Sequence, residues 1–143
     1  MNTKKGTSIL EVVIATAMIS MAVISALALT AKSQSQNTYA RRSAEANKYA
    51  SQAADWLRGE RDNLGYPTIA SVSGTYCLAT LPASFSTLPS PGDCGPSDLI
   101  GNTYKRTIVL DNATLGKVIA TISVAWEEVT TRSTTVSLEL TQW

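Results

Sequence analysis

The chain has 143 residues, a formal net charge of +1 and no histidine. This length allows one compact domain with a modest hydrophobic core, and we do not expect a second domain. The charges form no block of one sign, which argues against electrostatic capture of nucleic acid or of an acidic surface. The lack of histidine removes the commonest general base of enzymes.

The N-terminal region joins a short basic leader to a long apolar segment. Lys4 and Lys5 precede Gly6, and residues 9–31 form an apolar run in which Glu11 is the only charged residue. A run of this length can span a bilayer, and the two lysines mark its cytoplasmic side. A carboxylate at that depth costs about 2.5–3.5 kcal/mol on insertion scales, so we expect Glu11 to have a functional partner.

Two other interpretations of this segment exist. A cleaved secretory signal would have a shorter apolar region and a small-residue cleavage site, whereas this run passes directly into a polar helical pattern, which favours retention. A plain single-span anchor is the second, with Glu11 reaching toward the cytoplasmic interface because it lies near the start of the run.

The two lysines and Gly6, followed by residues 7–11, resemble the class III signal of type IV pilins and pseudopilins. In that family a prepilin peptidase cuts after the glycine on the cytoplasmic side, methylates the new N-terminus and leaves the apolar segment on the mature protein. The resemblance implies cleavage between Gly6 and Thr7, followed by N-methylation of Thr7. One departure is that the first mature residue, usually Phe or Met, is Thr7 here.

The same resemblance gives Glu11 a role and the chain a set of partners. As the fifth mature residue, Glu11 would pair with the N-terminal ammonium of a neighbouring subunit, which offsets the burial of both charges. The implied partners are other pilin or pseudopilin subunits, the prepilin peptidase, an inner-membrane assembly platform, and membrane lipid before assembly. The implied location is the cytoplasmic (inner) membrane, single-pass with the C-terminal domain outside, and then an extracellular or periplasmic filament.

A helical pattern continues over residues 32–64. No Pro or Gly interrupts residues 7–58, which predicts a helix of about 50 residues and roughly 75 Å. Gly59 weakens this helix, and the turn that starts at Gly65 ends it. Many major pilins carry a helix-breaking proline where this chain has Ala28, so the resemblance favours a minor subunit. The larger apolar residues predicted to form one stripe are Tyr39, Ala46, Tyr49, Ala53, Trp56, Leu57 and Leu64.

Residues 68–101 are rich in Ser, Thr, Pro and Gly, which predicts little regular structure. Cys77 and Cys94 bracket most of this segment. An even pair of cysteines in an exported domain indicates a disulfide, which would contribute roughly 3 kcal/mol in the chain-entropy model. Metal binding is the alternative, but two thiols without histidine provide too few ligands for a closed zinc site. We expect no metal and no cofactor.

The last third has alternating apolar and polar residues over 104–110, 118–126 and 134–140, which predicts three strands in an antiparallel meander. The helical stripe is the expected cover for its apolar face. The predicted fold class is α+β and pilin-like, a long N-terminal helix with a membrane-spanning first half, packed on a small antiparallel sheet with a disulfide-closed loop. The predicted parts are a leader (1–6), a transmembrane or filament-core helix half (7–31), an amphipathic helix half (32–64) and a head (65–143) that contains the loop (68–101) and the meander (104–143).

Catalysis finds no support in the sequence, because no nucleophile motif or phosphate-binding loop is present and adjacent Glu127 and Glu128 would point to opposite sides of a strand. The strand ending at Trp126, followed by a turn and residues 134–140, is similar to V-type minor pilins and I-type minor pseudopilins of type II secretion. The resemblance implies a non-enzymatic minor pilin, a structural subunit of a type IV pilus or related filament that takes part in assembly or priming.

Two alternative functions remain open. One is a minor pseudopilin of a type II secretion system. The other is a DNA-uptake or adhesive subunit, which an exposed groove of Lys105, Arg106 and the loop between the cysteines would favour. We expect no nucleic-acid partner, because the sequence shows no interleaving of basic and aromatic residues, and basic pairs usually lie on solvated faces.

Overall fold

One long helix and a five-stranded antiparallel sheet make up most of the residues described in the computed structural model, which are 9–128 and 130–142. The α+β prediction is therefore confirmed. The chain comprises two compact units, Met1–Arg41 and Arg42–Trp143. The elements in chain order are α1 (Ile9–Leu64), α2 (Tyr66–Ala70), β1 (Gly74–Cys77), a 3-10 turn (Phe85–Thr87), β2 (Leu99–Ile100), β3 (Tyr104–Asp111), β4 (Lys117–Glu127) and β5 (Thr131–Thr141).

The end of α1 follows from a glycine. Helix α1 passes through Gly59 and ends at Leu64, after which Gly65 adopts a φ of 81°. Only glycine takes this left-handed conformation at low cost, and the Gly65 amide donates to the Arg61 carbonyl at 2.9 Å, which satisfies an otherwise unpaired helix terminus. Pro67 then lies in the first turn of α2, where a missing amide hydrogen is harmless.

The sheet has the strand order β1-β3-β4-β5, with β2 also paired to β3. The predicted meander of three strands is confirmed, and β4 and β5 extend further than predicted. In the register of these strands Ile108 lies opposite Ile122, which lies opposite Val136. Strands β1 and β2 were not predicted, because each is short and has no alternating pattern, so their pairing with β3 defines them.

The helix part of the second unit covers one face of the sheet. Ala46, Ala53 and Leu57 of the predicted stripe are buried, but Tyr39 and Leu64 are 43% and 38% exposed. Ala50 and Ala54 are buried as well. Full burial of each large aliphatic side chain stabilises the core by about 1.5–3 kcal/mol. The largest fully buried side chains are Leu57, Ile69, Ile108, Ile122, Leu140, Val118 and Val124.

Candidate functional site: the apolar helix segment and the head

The apolar segment of α1 is exposed along its whole described length. Its most apolar 18-residue window has a mean hydropathy of 2.5, and none of that window is buried within the protein. By length and composition α1 can cross a membrane. An exposed apolar surface of this extent marks a site of interaction with lipid or with another protein.

Hydroxyl groups inside the segment are satisfied by the helix itself. Thr16, Ser20, Ser25 and Thr30 each donate to a backbone carbonyl three or four residues earlier, at 2.8–2.9 Å. Such bonds allow hydroxyl side chains to enter an apolar environment without an unpaired donor. Among the described residues, Glu11 is therefore the one polar side chain of 9–31 that the helix does not satisfy.

The carboxylate of Glu11 lies on the helix surface beside apolar neighbours, and it shares a shallow groove with Leu10, Ile14 and Met18. The partner predicted for it is the ammonium group of a processed N-terminus. The predicted cleavage site at Gly6 and Thr7, and the methylation of Thr7, lie outside the described residues. The processing and the pairing stay predictions.

The predicted disulfide between Cys77 and Cys94 is present, and its Cα atoms are 5.2 Å apart. It joins the end of β1 to the segment before β2. The Gly92 amide also donates to the Thr75 carbonyl at 2.9 Å, so the closed loop runs along the free edge of β1. The disulfide and this hydrogen bond both hold the loop to the sheet.

Lys105 and Arg106 do not share an exposed groove, the feature that would favour a DNA-uptake or adhesive subunit. Successive strand residues point to opposite faces of the sheet, so Lys105 is exposed whereas Arg106 points into the core and is 3% exposed. Its guanidinium donates to the carbonyls of Leu78 (3.0 Å), Tyr49 (3.3 Å) and Ala79 (3.4 Å). Burial lowers the pKa of Arg106. The residue therefore connects helix, sheet and loop instead of facing solvent.

A second buried charge, on Glu60, was not anticipated. Glu60 is 8% exposed, and its carboxylate accepts a hydrogen bond from the Phe85 amide at 2.6 Å. The signal was the helical spacing, because Ala46, Ala53 and Leu57 precede Glu60 on the same stripe at intervals of three or four residues or their multiples. This bond fixes the 3-10 turn against α1.

A third polar contact joins α1 to β3. The Tyr104 hydroxyl donates to the Glu45 carboxylate at 2.6 Å, and the ring contacts Tyr49 and Trp126 at centroid distances of 5.4 and 6.3 Å. Burial, and then the hydrogen bond to Glu45, raise the pKa of Tyr104 to about 12. The phenol is consequently neutral at physiological pH and remains a donor.

A cavity of about 410 Å³ lies at the end of the sheet, and its lining includes Arg42, Lys105, Trp126 and Glu127. Its volume falls in the range typical of small-ligand sites. The guanidinium of Arg42 contacts the Glu127 carbonyl at 3.2 Å and the Glu128 carboxylate at 3.6 Å. The Lys105 ammonium forms no hydrogen bond or ion pair with the described part of the chain. Two cations, Arg42 and Lys105, therefore line this cavity together with the acidic residue Glu127.

Comparisons with protein families, with curated proteins and with solved structures found no match to this chain. The long apolar N-terminal helix, the antiparallel sheet and the disulfide are compatible with a pilin-like fold.

Proposed function

We propose that this chain is a minor pilin, a structural subunit of a type IV pilus or related filament that takes part in assembly or priming. The single observation that carries the proposal is the exposed apolar segment whose hydroxyls are satisfied internally and whose one remaining polar side chain is Glu11. A segment of this kind needs an apolar environment together with one cation.

Lipid and neighbouring subunits would supply that environment in turn. Before assembly, the cytoplasmic membrane would cover the apolar side chains, with the head outside. In the filament, packed helices of other subunits would replace the lipid, and the N-terminal ammonium of a neighbour would meet the Glu11 carboxylate. Pairing of the two charges offsets the cost of burying each of them. Prepilin peptidase and an inner-membrane platform are the further partners of this proposal.

The first test is intact-mass and N-terminal peptide analysis of the protein from membranes of a host that has a prepilin peptidase. We expect a mature chain that begins at methylated Thr7. A Gly6→Ala variant is the matched control, and it should keep residues 1–6. If the wild-type protein also keeps residues 1–6, it is an ordinary membrane anchor and the proposal is wrong.

The role of Glu11 is tested separately by incorporation into filaments. We expect Glu11→Ala to lower the incorporated fraction more than about tenfold, because loss of one partner of a buried ion pair costs about 3–5 kcal/mol. Cleavage should persist. Asp93→Ala removes an exposed carboxylate of the head and should incorporate normally. Equal incorporation of both variants would contradict the pairing.

Adjacent pilus or secretion genes would distinguish a minor pilin from a minor pseudopilin.

The cavity favours a second candidate function, a DNA-uptake or adhesive subunit that binds an anionic group between Arg42 and Lys105. Titration of a short DNA duplex into the full chain tests it. We expect Lys105→Ala to weaken binding and to reduce its salt dependence, while Lys48→Ala removes an exposed cation of the helix and should have no effect. Identical isotherms for the two variants would exclude this candidate.

A further inference from the structure

The outer edge of β5 is a long and unpaired sheet edge. Strand β5 pairs with β4 on one side from Thr131 to Thr141, and no other strand pairs with it within residues 9–128 and 130–142. An edge of this kind presents backbone amide and carbonyl groups that can pair with another extended chain.

The opposite edge of the sheet is closed. Strand β1 has only four residues, and the Thr75 carbonyl on it already accepts from the Gly92 amide. Pro91 lies against Gly74, where an added Cβ would come within 3.0 Å of it. The disulfide holds this covering segment in place. Of the two edges, β5 alone is open over a long stretch.

The middle of β5 lacks the residue types that usually protect a sheet edge, and the Thr134 hydroxyl there donates to the Asn47 side chain of α1 at 2.6 Å. Residues 133–138 contain no charge, no proline and no glycine. Thr135 and Ser137 are exposed on the outer face of the sheet, and Val136 is half-buried on the inner face. The charged residues, Arg132 and Glu139, lie near the two ends of the strand.

We propose that β5 pairs antiparallel with β5 of a second copy of this chain, with Val136 opposite Val136. This register overlaps both strands over all eleven residues, because Thr131 then faces Thr141 of the second copy. It also keeps opposed residues on the same face of a continuous sheet.

The charges permit this register. Glu139 faces Ser133 of the second copy, and Arg132 faces Leu140 of the second copy, so no like charges are opposed. Because the β1 edge is closed, β5 of one copy cannot pair with β1 of the next copy. The proposal uses the head alone, so it does not rest on the proposed filament function.

Engineered cysteines test the register in the full chain, purified in mild detergent at low concentration. Val136→Cys lies opposite itself and should form disulfide-linked dimers. Ser133→Cys is the control, because Ser133 and its copy would be separated by about 20 Å at 3.4 Å per residue. Position 133 is more exposed than position 136, so a cysteine there is the more reactive thiol, and random collisions would crosslink the control more readily. Equal crosslinking of the two variants would overturn the proposal.

Charge variants then distinguish β5 pairing from association through α1. Thr135 faces Ser137 of the second copy, so T135K/S137K opposes lysines at two places and should weaken the dimer about tenfold. T135E/S137K places opposite charges at the same positions and should retain it. Dimerisation that is unchanged in T135K/S137K, or a Val136→Cys crosslink to a different protein in host membranes, would refute self-pairing.

Discussion

Arg106 provides the sharpest test of how the head is held together. Substitution by methionine keeps most of the side-chain length but removes the guanidinium that donates to three backbone carbonyls. Hydrogen bonds to a charged donor contribute about 1.5–3 kcal/mol each, and two of these three bonds are long. Burial of the charge also costs energy that the substitution recovers. We therefore expect a net loss of about 3 kcal/mol, which corresponds to a melting temperature lower by roughly 15 °C for a domain of this size.

The assay is urea and thermal unfolding of the full chain in detergent, followed by tryptophan fluorescence, because all three tryptophans belong to the second unit. Lys105→Met is the matched control, since it makes the same chemical change one residue earlier on the exposed face and should alter stability by less than about 0.5 kcal/mol. Arg106→Lys should recover only part of the loss, because an ammonium cannot reproduce the planar fork. If Arg106→Met and Lys105→Met unfold at the same urea concentration, the buried guanidinium does not connect helix, sheet and loop.

Three further predictions concern the second unit. The pKa of Tyr104 is about 12, above its ordinary value of 10.0, so its contribution to folding stability is complete below pH 10 and decreases as the pH rises toward 12. Tyr104→Phe should abolish that part of the loss of stability at alkaline pH. An unchanged profile of stability against pH would contradict this prediction. Replacing Cys77 and Cys94 by serine should cost roughly 3 kcal/mol, with reductant lowering the urea midpoint of the wild type but not of the variant. Glu60→Ala should cost about 1–3 kcal/mol by leaving a buried amide unpaired, whereas Asp62→Ala on the exposed side should be nearly neutral, and equal midpoints would disprove the role of Glu60.

Most of the fold could be predicted because its patterns are local. The period of the apolar residues in β3, β4 and β5 identifies one buried face, and Gly65 indicates the end of α1. Strands β1 and β2 could not be predicted, because four and two residues hold too little pattern to distinguish a strand from a loop. Their conformation depends on pairing with β3, which is a tertiary interaction.

The buried polar contacts of the head could not be predicted from residue type alone. A basic pair such as Lys105 and Arg106 usually lies on a solvated surface, and that expectation placed both residues outside. Alternation along β3 predicts that Arg106 points inward, since Tyr104 and Ile108 on the same face are buried. What the pattern could not supply was the set of carbonyl acceptors, because they come from α1 and from a loop that has no regular structure.

The two units satisfy the polar groups of α1 in different ways. In the described part of the first unit, side-chain hydroxyls bond to the helix's own carbonyls, so that segment needs nothing from the head to enter an apolar environment. In the second unit, Glu45 and Glu60 of the same helix accept hydrogen bonds from the sheet and from the 3-10 turn. The helix of the second unit is consequently stabilised by tertiary contacts, whereas the described helix of the first unit depends on its own backbone hydrogen bonds. A loss of stability in the second unit should therefore leave the helix of the first unit intact, and the substitutions at Arg106 and Glu60 should act on the second unit alone.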